Sequence, residues 1–125
     1  MSKVLVIEDN DIILKAMKTI LERNGFSVTQ AYNGKEALEM VEADDFEVVI
    51  TDLMLPYVNG MELIQKIKSD ISKRFIKIIV VSAIDNELTI SEAFKLGADD
   101  YMMKPVVATE LVNRVRKLVG RAIRK

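Results

Sequence analysis

Residues 47–56 read "EVVITDLMLP": Val48, Val49 and Ile50 run into Thr51 and Asp52, and Leu53, Met54, Leu55 and Pro56 follow. An unbroken β-branched run this short marks a strand buried on both faces, as in the middle of a parallel sheet. A carboxylate that ends such a strand has to emerge where the sheet opens to solvent, because an isolated charge is too costly to bury. Where that end lies decides both the fold and the chemistry.

Working outward, short apolar runs alternate with segments of helical period. Val4 to Ile7 is a strand candidate, after which Ile13, Ala16, Met17, Ile20 and Leu21 recur at helical spacing until Asn24 and Gly25 stop them. Phe26 to Ala31 reads as a second strand, and Ala37, Leu38 and Val41 mark a helix opened near Asn33. Val48 to Thr51 is the third strand, and Leu63, Ile64 and Ile67 share a face of a helix that Asn59 and Gly60 start. "IKIIVVSA", residues 76–83, is the strongest strand in the chain. A helix of irregular apolar spacing follows from Glu87 to Leu96, stopped by Gly97, and Tyr101 to Met103 is a short fifth strand. Leu111, Val115, Leu118 and Ala122 define the last helix, widened by Val112, Val119 and Ile123.

Five strands alternating with five helices imply right-handed crossovers and a parallel sheet covered on both faces. The expected fold class is α/β and doubly wound, in the flavodoxin-like order 2-1-3-4-5 or the Rossmann-like order 3-2-1-4-5. The 125 residues suit one domain spanning 1–125. Half the residues are hydrophobic and 30% are charged, as in an ordinary globular protein. A net charge of −1 gives no overall pull toward nucleic acid or anionic lipid. With no cysteine there is no disulfide, thiolate metal site or cysteine nucleophile, and with no histidine any imidazole must come from a partner. "MSKVLVIEDN" is too short an apolar run for a signal peptide, and no segment approaches the roughly 18 apolar residues of a membrane span. The expected compartment is the cytoplasm. Starting at Met1 favours an intact N-terminus, while "GRAIRK" fits a natural stop or a cut before an effector domain.

In a parallel sheet the carboxyl ends of the strands share one edge, and ligands bind there at the switch point. The first strand runs into Glu8 and Asp9, the third ends at Asp52, the fourth at Ser82, and the fifth at Lys104 before Pro105. In the order 2-1-3-4-5 the first and third strands are neighbours about 4.8 Å apart. Three carboxylates then crowd one crevice, with a hydroxyl and an ammonium on its far side. Like charges so close raise one another's pKa unless a cation intervenes. With only oxygen ligands available, that cation is hard: Mg²⁺, or Mn²⁺, rather than Zn²⁺. A metal, a lysine and a hydroxyl around a carboxylate describe phosphoryl transfer, with Asp52 the candidate nucleophile forming an acyl phosphate.

These pieces resemble the receiver domain of two-component response regulators. The match lies in "VLVIEDN", "VVITDLMLP", "NGMEL", "IIVVSA" and "GADDYMMKP", and covers Lys3 to Arg121. Each piece alone is weak, but five in order, each at the end of its own strand, are specific. The resemblance implies that Asp52 accepts a phosphoryl group from a phosphohistidine on a sensor histidine kinase or a histidine phosphotransfer protein. It also implies that Asp9, Asp52 and the Met54 backbone carbonyl bind Mg²⁺, with Glu8 acting through a metal-bound water. Lys104 then pairs with one phosphoryl oxygen, Ser82 donates to another, and the Lys104–Pro105 peptide is cis. On activation Ser82 moves toward the phosphoryl group and Tyr101 turns inward. The face made by the fourth helix, fifth strand and fifth helix then changes its preference for an effector or a second copy. The irregular spacing of residues 87–96 suits an element with two packings.

Two departures from the common pattern stand out. Val106 stands where many relatives have Phe. Met54 and Ile84, two residues beyond Asp52 and Ser82, are apolar and cannot orient a water by a hydrogen bond, so slow self-dephosphorylation is expected.

Taken singly, Glu8–Asp9 reads as a strand end or cap, Asp52 as a turn residue, Ser82 as a satisfied strand-end hydroxyl, Lys104 as a solvated loop lysine, and Tyr101 as half-buried packing. Their joint placement on one edge overturns those readings. The seven methionines are core filler. Arg114, Arg116, Lys117, Arg121, Arg124 and Lys125 form a basic end, which complements a helix dipole. No nucleic-acid motif accompanies them, so direct binding to nucleic acid or membrane is not expected. Among rival functions, a haloacid-dehalogenase-type phosphatase needs a second Asp where Met54 stands. Nucleotide binding needs a glycine-rich turn that "VIEDNDII" lacks. A pseudo-receiver that is never phosphorylated would have no use for Asp52 and Lys104.

Overall fold

The computed structural model describes residues 1–122, with side chains described through Gly120. Strands and helices alternate as β1 (Lys3–Ile7), α1 (Asp11–Arg23), β2 (Ser27–Ala31), α2 (Gly34–Ala43), β3 (Val48–Thr51), α3 (Gly60–Ser69), β4 (Lys77–Ser82), α4 (Glu87–Leu96), β5 (Asp100–Met103) and α5 (Ala108–Ala122). All five strands pair in parallel in the order β2-β1-β3-β4-β5. This is the flavodoxin-like order, and it excludes the Rossmann-like alternative. Because β2 lies on one side of β1 and β3 on the other, the chain switches direction between the two central strands. Ile7 sits opposite Thr51 there, so the residues after each of them share one rim.

The period-two alternation of the strands splits the core into two layers. Leu5, Ile7, Val49, Ile78 and Val80 face α2, α3 and α4, against Ala37, Val41, Leu63, Ile64, Ile67 and Ala93. Val4, Val6, Val48, Ile50, Ile79 and Val81 face α1 and α5, against Leu14, Met17, Leu21, Leu111, Val115 and Leu118. Every residue of β3 is buried, as its β-branched run implies.

Four helices start in the same way. The side-chain oxygens of Asn10, Asn33, Asn59 and Asn86 accept from backbone amides of the first turns of α1, α2, α3 and α4. Each satisfies a donor that the helix itself leaves open. Gly97 ends α4 at φ +121°, a conformation that costs a residue with a Cβ.

The expected boundaries hold within a residue or two. Phe26 belongs to the turn before β2, because its amide donates 3.1 Å to the Leu21 carbonyl and closes the end of α1. Asp100 joins β5 through its register with Ile79. Ile123, expected on the apolar face of α5, lies outside the described residues.

Candidate functional site

Asp52 follows directly on β3, and its backbone amide donates to the Ile7 carbonyl at 3.3 Å, so the end of β3 is tied to the end of β1. The side chain folds back on its own loop. Oδ1 accepts from the amides of Leu53 at 2.7 Å and Met54 at 3.3 Å. The buried Thr51 hydroxyl donates to the Asp52 carbonyl at 2.8 Å. Gly60, the first residue of α3, lies against that carbonyl and Leu53 Cα so closely that a Cβ would collide with both, and its amide donates to the Leu53 carbonyl at 3.0 Å. Helix α3 thereby braces the loop that aims Asp52.

Lys104 completes the centre. Its ammonium lies 2.7 Å from Asp52 Oδ2 and 2.7 Å from Glu8 Oε1, joining groups from the ends of β1, β3 and β5. The Lys104–Pro105 peptide is cis. Glu8 is 1% exposed and Asp52 7%, so water does little of the neutralising. Burial raises the Glu8 pKa above its ordinary value, with the Asp52 charge adding to the effect, while Lys104 and the Asn10 amide oppose it. For Lys104, burial pulls the pKa down, but the charges of Asp52 and Glu8 beside its ammonium outweigh it and the net shift is upward.

Ser82, the last residue of β4, is fully buried, and its Oγ accepts from the Ile84 amide at 3.1 Å. The hydroxyl hydrogen remains for donation. Tyr101 in β5 is half-buried against the α2–α4 layer, and its hydroxyl donates to the Ile84 carbonyl at 2.8 Å. Both side chains therefore grip the main chain of Ile84, at the start of the connection to α4.

Asp9 is exposed and lines an open cleft with Leu53, Met54, Leu55, Pro56 and Asn59. Met54 is 68% exposed. The donor set fits a hard cation, since every candidate ligand is an oxygen. Glu8 Oε1 is buried without a hydrogen bond, although Lys104 Nζ is 2.7 Å away. The ammonium neutralises that oxygen off the hydrogen-bonding axis and leaves lone-pair capacity unused. Among the described residues no three acidic side chains form a ready-made cage. An ion held here would keep part of its water shell, as Mg²⁺ usually does.

Lys104 thus contacts both Asp52 and Glu8, Ser82 and Tyr101 are linked through Ile84, and Asp9 stands at the mouth of the cleft. Three contributors were not singled out from sequence: Thr51, Gly60 and the main chain of Ile84. Only Gly60 carried a signal, as the glycine of an Asn-Gly helix start, and its close approach to Asp52 is a tertiary fact. On the opposite flank Arg114 pairs with Asp100 at 2.6 Å and with Glu110 at 3.1 Å, so this part of the basic end is internally neutralised. The side chain of Arg121, and Arg124 and Lys125 altogether, lie outside the described residues.

Comparison with known proteins bears on this arrangement. The family profile described as "Response regulator receiver domain" matches residues 4–116. The transcriptional regulatory protein CrdR of Helicobacter pylori is 34% identical over 115 residues, 92% of this chain and 54% of that protein. The transcriptional regulatory protein SrrA of Staphylococcus aureus is 34% identical over 120 residues, 96% of this chain and 48% of that protein. The chain therefore spans about half the length of these relatives. Among solved structures, the receiver domain of the Francisella response regulator 1452 superposes with a TM-score of 0.90 at 36% identity, covering 97% of this chain and 98% of its own. A CheY-like receiver domain protein from Methanospirillum hungatei gives 0.92 at 28% identity, covering 98% and 96%. No helix among the described residues is long and apolar enough to cross a membrane.

Proposed function

The chain belongs to the response regulator receiver family of two-component signal transduction, and from that premise we propose that it is a phosphorylation-dependent switch with Asp52 as the acceptor. The observation that carries this is the single ammonium of Lys104 held 2.7 Å from the carboxylates of both Glu8 and Asp52 at the rim where β1, β3 and β5 end. The donor is a phosphohistidine on a sensor histidine kinase or a histidine phosphotransfer protein, which supplies the imidazole this chain lacks. An Asp52 oxygen attacks phosphorus. The new O–P bond forms as the N–P bond breaks, and the leaving imidazole nitrogen keeps the electron pair and takes up a proton. Lys104 meets one phosphoryl oxygen and the Ser82 hydroxyl donates to a second. Asp9, Asp52 and the Met54 carbonyl would hold Mg²⁺, with Glu8 reaching it through a bound water, and the ion supplies charge neutralisation for the phosphoryl oxygens.

As Ser82 turns toward the phosphoryl group it draws on its bond to Ile84, and Tyr101, bonded to the same residue, follows. The α4–β5–α5 face then alters its affinity for a downstream effector or a second copy of the domain. Met54 and Ile84 offer no side-chain hydrogen bond to an attacking water, which supports a phosphoryl lifetime of minutes rather than seconds. Incubation with acetyl phosphate and Mg²⁺, read by intact mass and sizing chromatography, tests the proposal. One added phosphoryl group is expected, absent with EDTA and in Asp52→Asn. Unaltered mass with every phosphodonor would defeat it.

A further inference from the structure

Helix α4 is fastened differently at its two ends. Its N-terminal half is lightly seated: no residue from Glu87 to Glu92 is fully buried, Thr89 and Ile90 are half-buried, and Leu88 is 82% exposed. The side-chain hydrogen bonds from the sheet to the approach to this end converge on Ile84, gripped by Ser82 and Tyr101 as described above. The C-terminal end is pinned many times over. Ala93 is buried, and the Gly97 and Ala98 amides donate back to Phe94 and Ala93 at 3.1 and 3.0 Å. The Asp99 amide donates to the Ile78 carbonyl at 2.8 Å, and Asp99 Oδ2 accepts from the Ile78 amide at 2.8 Å.

Lys68, near the end of α3, closes this knot. Its ammonium donates to Asp99 Oδ2 at 3.0 Å, to the Ile76 carbonyl at 2.6 Å and to the Arg74 carbonyl at 3.2 Å. All three donors of the lysine are used. Its methylenes lie against Gly97, where an added Cβ would strike Lys68 Cγ. The Lys68 side chain is 16% exposed and that of Asp99 24%, so the pair is shielded from most of the screening that weakens surface ion pairs. One cluster thus joins α3, the start of β4, the end of α4 and the approach to β5.

We propose that Lys68 and Asp99 are positioning residues that fix the C-terminal end of α4, so that phosphorylation swings the helix about that end with its N-terminal turn carrying the motion. The inference rests on the switch reading given above and adds the place of the pivot. A stiff rod lightly seated near the site, with its hydrogen bonds there converging on Ile84, and held by a dense cluster at the far end is most compliant to rotation about the cluster. Energy released by rebonding at Ile84 then moves Glu87–Ile90 most and Gly97–Asp99 least.

Amide hydrogen exchange resolved by residue tests this on the parent, Lys68→Met, Lys68→Arg and Asp99→Asn, each with Mg²⁺ and with or without acetyl phosphate, the load being checked by intact mass. In the parent, phosphorylation should change exchange at Ile84–Ile90 and leave Ile78 and Gly97–Asp99 within about twofold. In unphosphorylated Lys68→Met the Gly97–Asp99 and Ile78 amides should exchange about tenfold faster, and on phosphorylation the change should spread along the whole helix. Lys68→Arg should restore the parental pattern, and Asp99→Asn should behave like Lys68→Met should the latter fold poorly. Equal changes at both ends of α4 in the phosphorylated parent would overturn the pivot, as would unaltered Ile78 and Gly97–Asp99 rates in the folded variants. A parent that never gains a phosphoryl group overturns the switch reading and the lever with it, a result distinguishable by mass alone.

Discussion

Removing the central ammonium by Lys104→Met is the most searching perturbation. The Lys104 nitrogen lies 2.7 Å from oxygens of both Glu8 and Asp52, so those oxygens are no further apart than twice that distance. At such a spacing, two unit charges repel by about 3 kcal/mol at an effective dielectric constant of about 20. Breaking a buried ion pair from one side typically costs about 3–5 kcal/mol, so the two routes agree. Glu8 and Asp52 are too buried for water to compensate, and the remaining relief is protonation. Burial already raises the Glu8 pKa above its ordinary 4.5, and losing Lys104 deletes its main opposing interaction.

The sign follows from linkage. The native state binds that proton more tightly than the unfolded state, so stability is retained below the unfolded pKa and lost as pH rises through the native one. Urea melts of the metal-free variant should trail the parent by about 3 kcal/mol near pH 8 and by much less near pH 5. Mg²⁺ at about 100 times its Kd should return about 2.7 kcal/mol at the higher pH. A variant as stable as the parent near pH 8 without Mg²⁺, or a gap that ignores pH, would refute the reasoning.

Three further outcomes are expected. Met54→Asn places a hydrogen-bonding group at the mouth of the cleft and should shorten the phosphoryl half-life severalfold, read by loss of the mass increment after acetyl phosphate is removed. Gly60→Ala forces a Cβ into the Asp52 carbonyl and should cost about 1–3 kcal/mol in urea melts while slowing phosphorylation, because backbone has to yield there. Asn86→Ala removes an acceptor for the amides of both Leu88 and Thr89 and should cost about 1 kcal/mol, with faster hydrogen exchange confined to the first turn of α4.

What could be read from the chain alone depended on the range of the interactions involved. Val48–Thr51 announced a central strand because burial on both faces leaves a local mark, an unbroken β-branched run. Crossover handedness narrowed the strand order to two candidates, of which the structure adopts the one that brings the polar ends of β1 and β3 together. Lys104 lies between Glu8 and Asp52 rather than across the crevice from them, and Asp9, expected in the same crevice, is exposed at its mouth. Local composition says nothing of contacts made across the fold. Gly60 presses on Asp52 across the turn of a loop and Lys68 reaches Asp99 from 31 residues away, and no local periodicity advertises either contact. Asn10 and Asn86 are N-caps as clear as Asn33 and Asn59, but they lack the glycine that drew attention to the other two. Ile84 acts through its backbone amide and carbonyl, for which side-chain identity is silent.

The central claim, that Asp52 carries the phosphoryl group at an all-oxygen metal site, is tested most directly by locating the modification. The protein is loaded with acetyl phosphate and Mg²⁺, reduced with borohydride to convert an acyl phosphate to an alcohol, and mapped by peptide mass spectrometry. The account predicts homoserine at position 52, lost when EDTA is present. Reduction at another residue, or the same yield without a divalent ion, would contradict it.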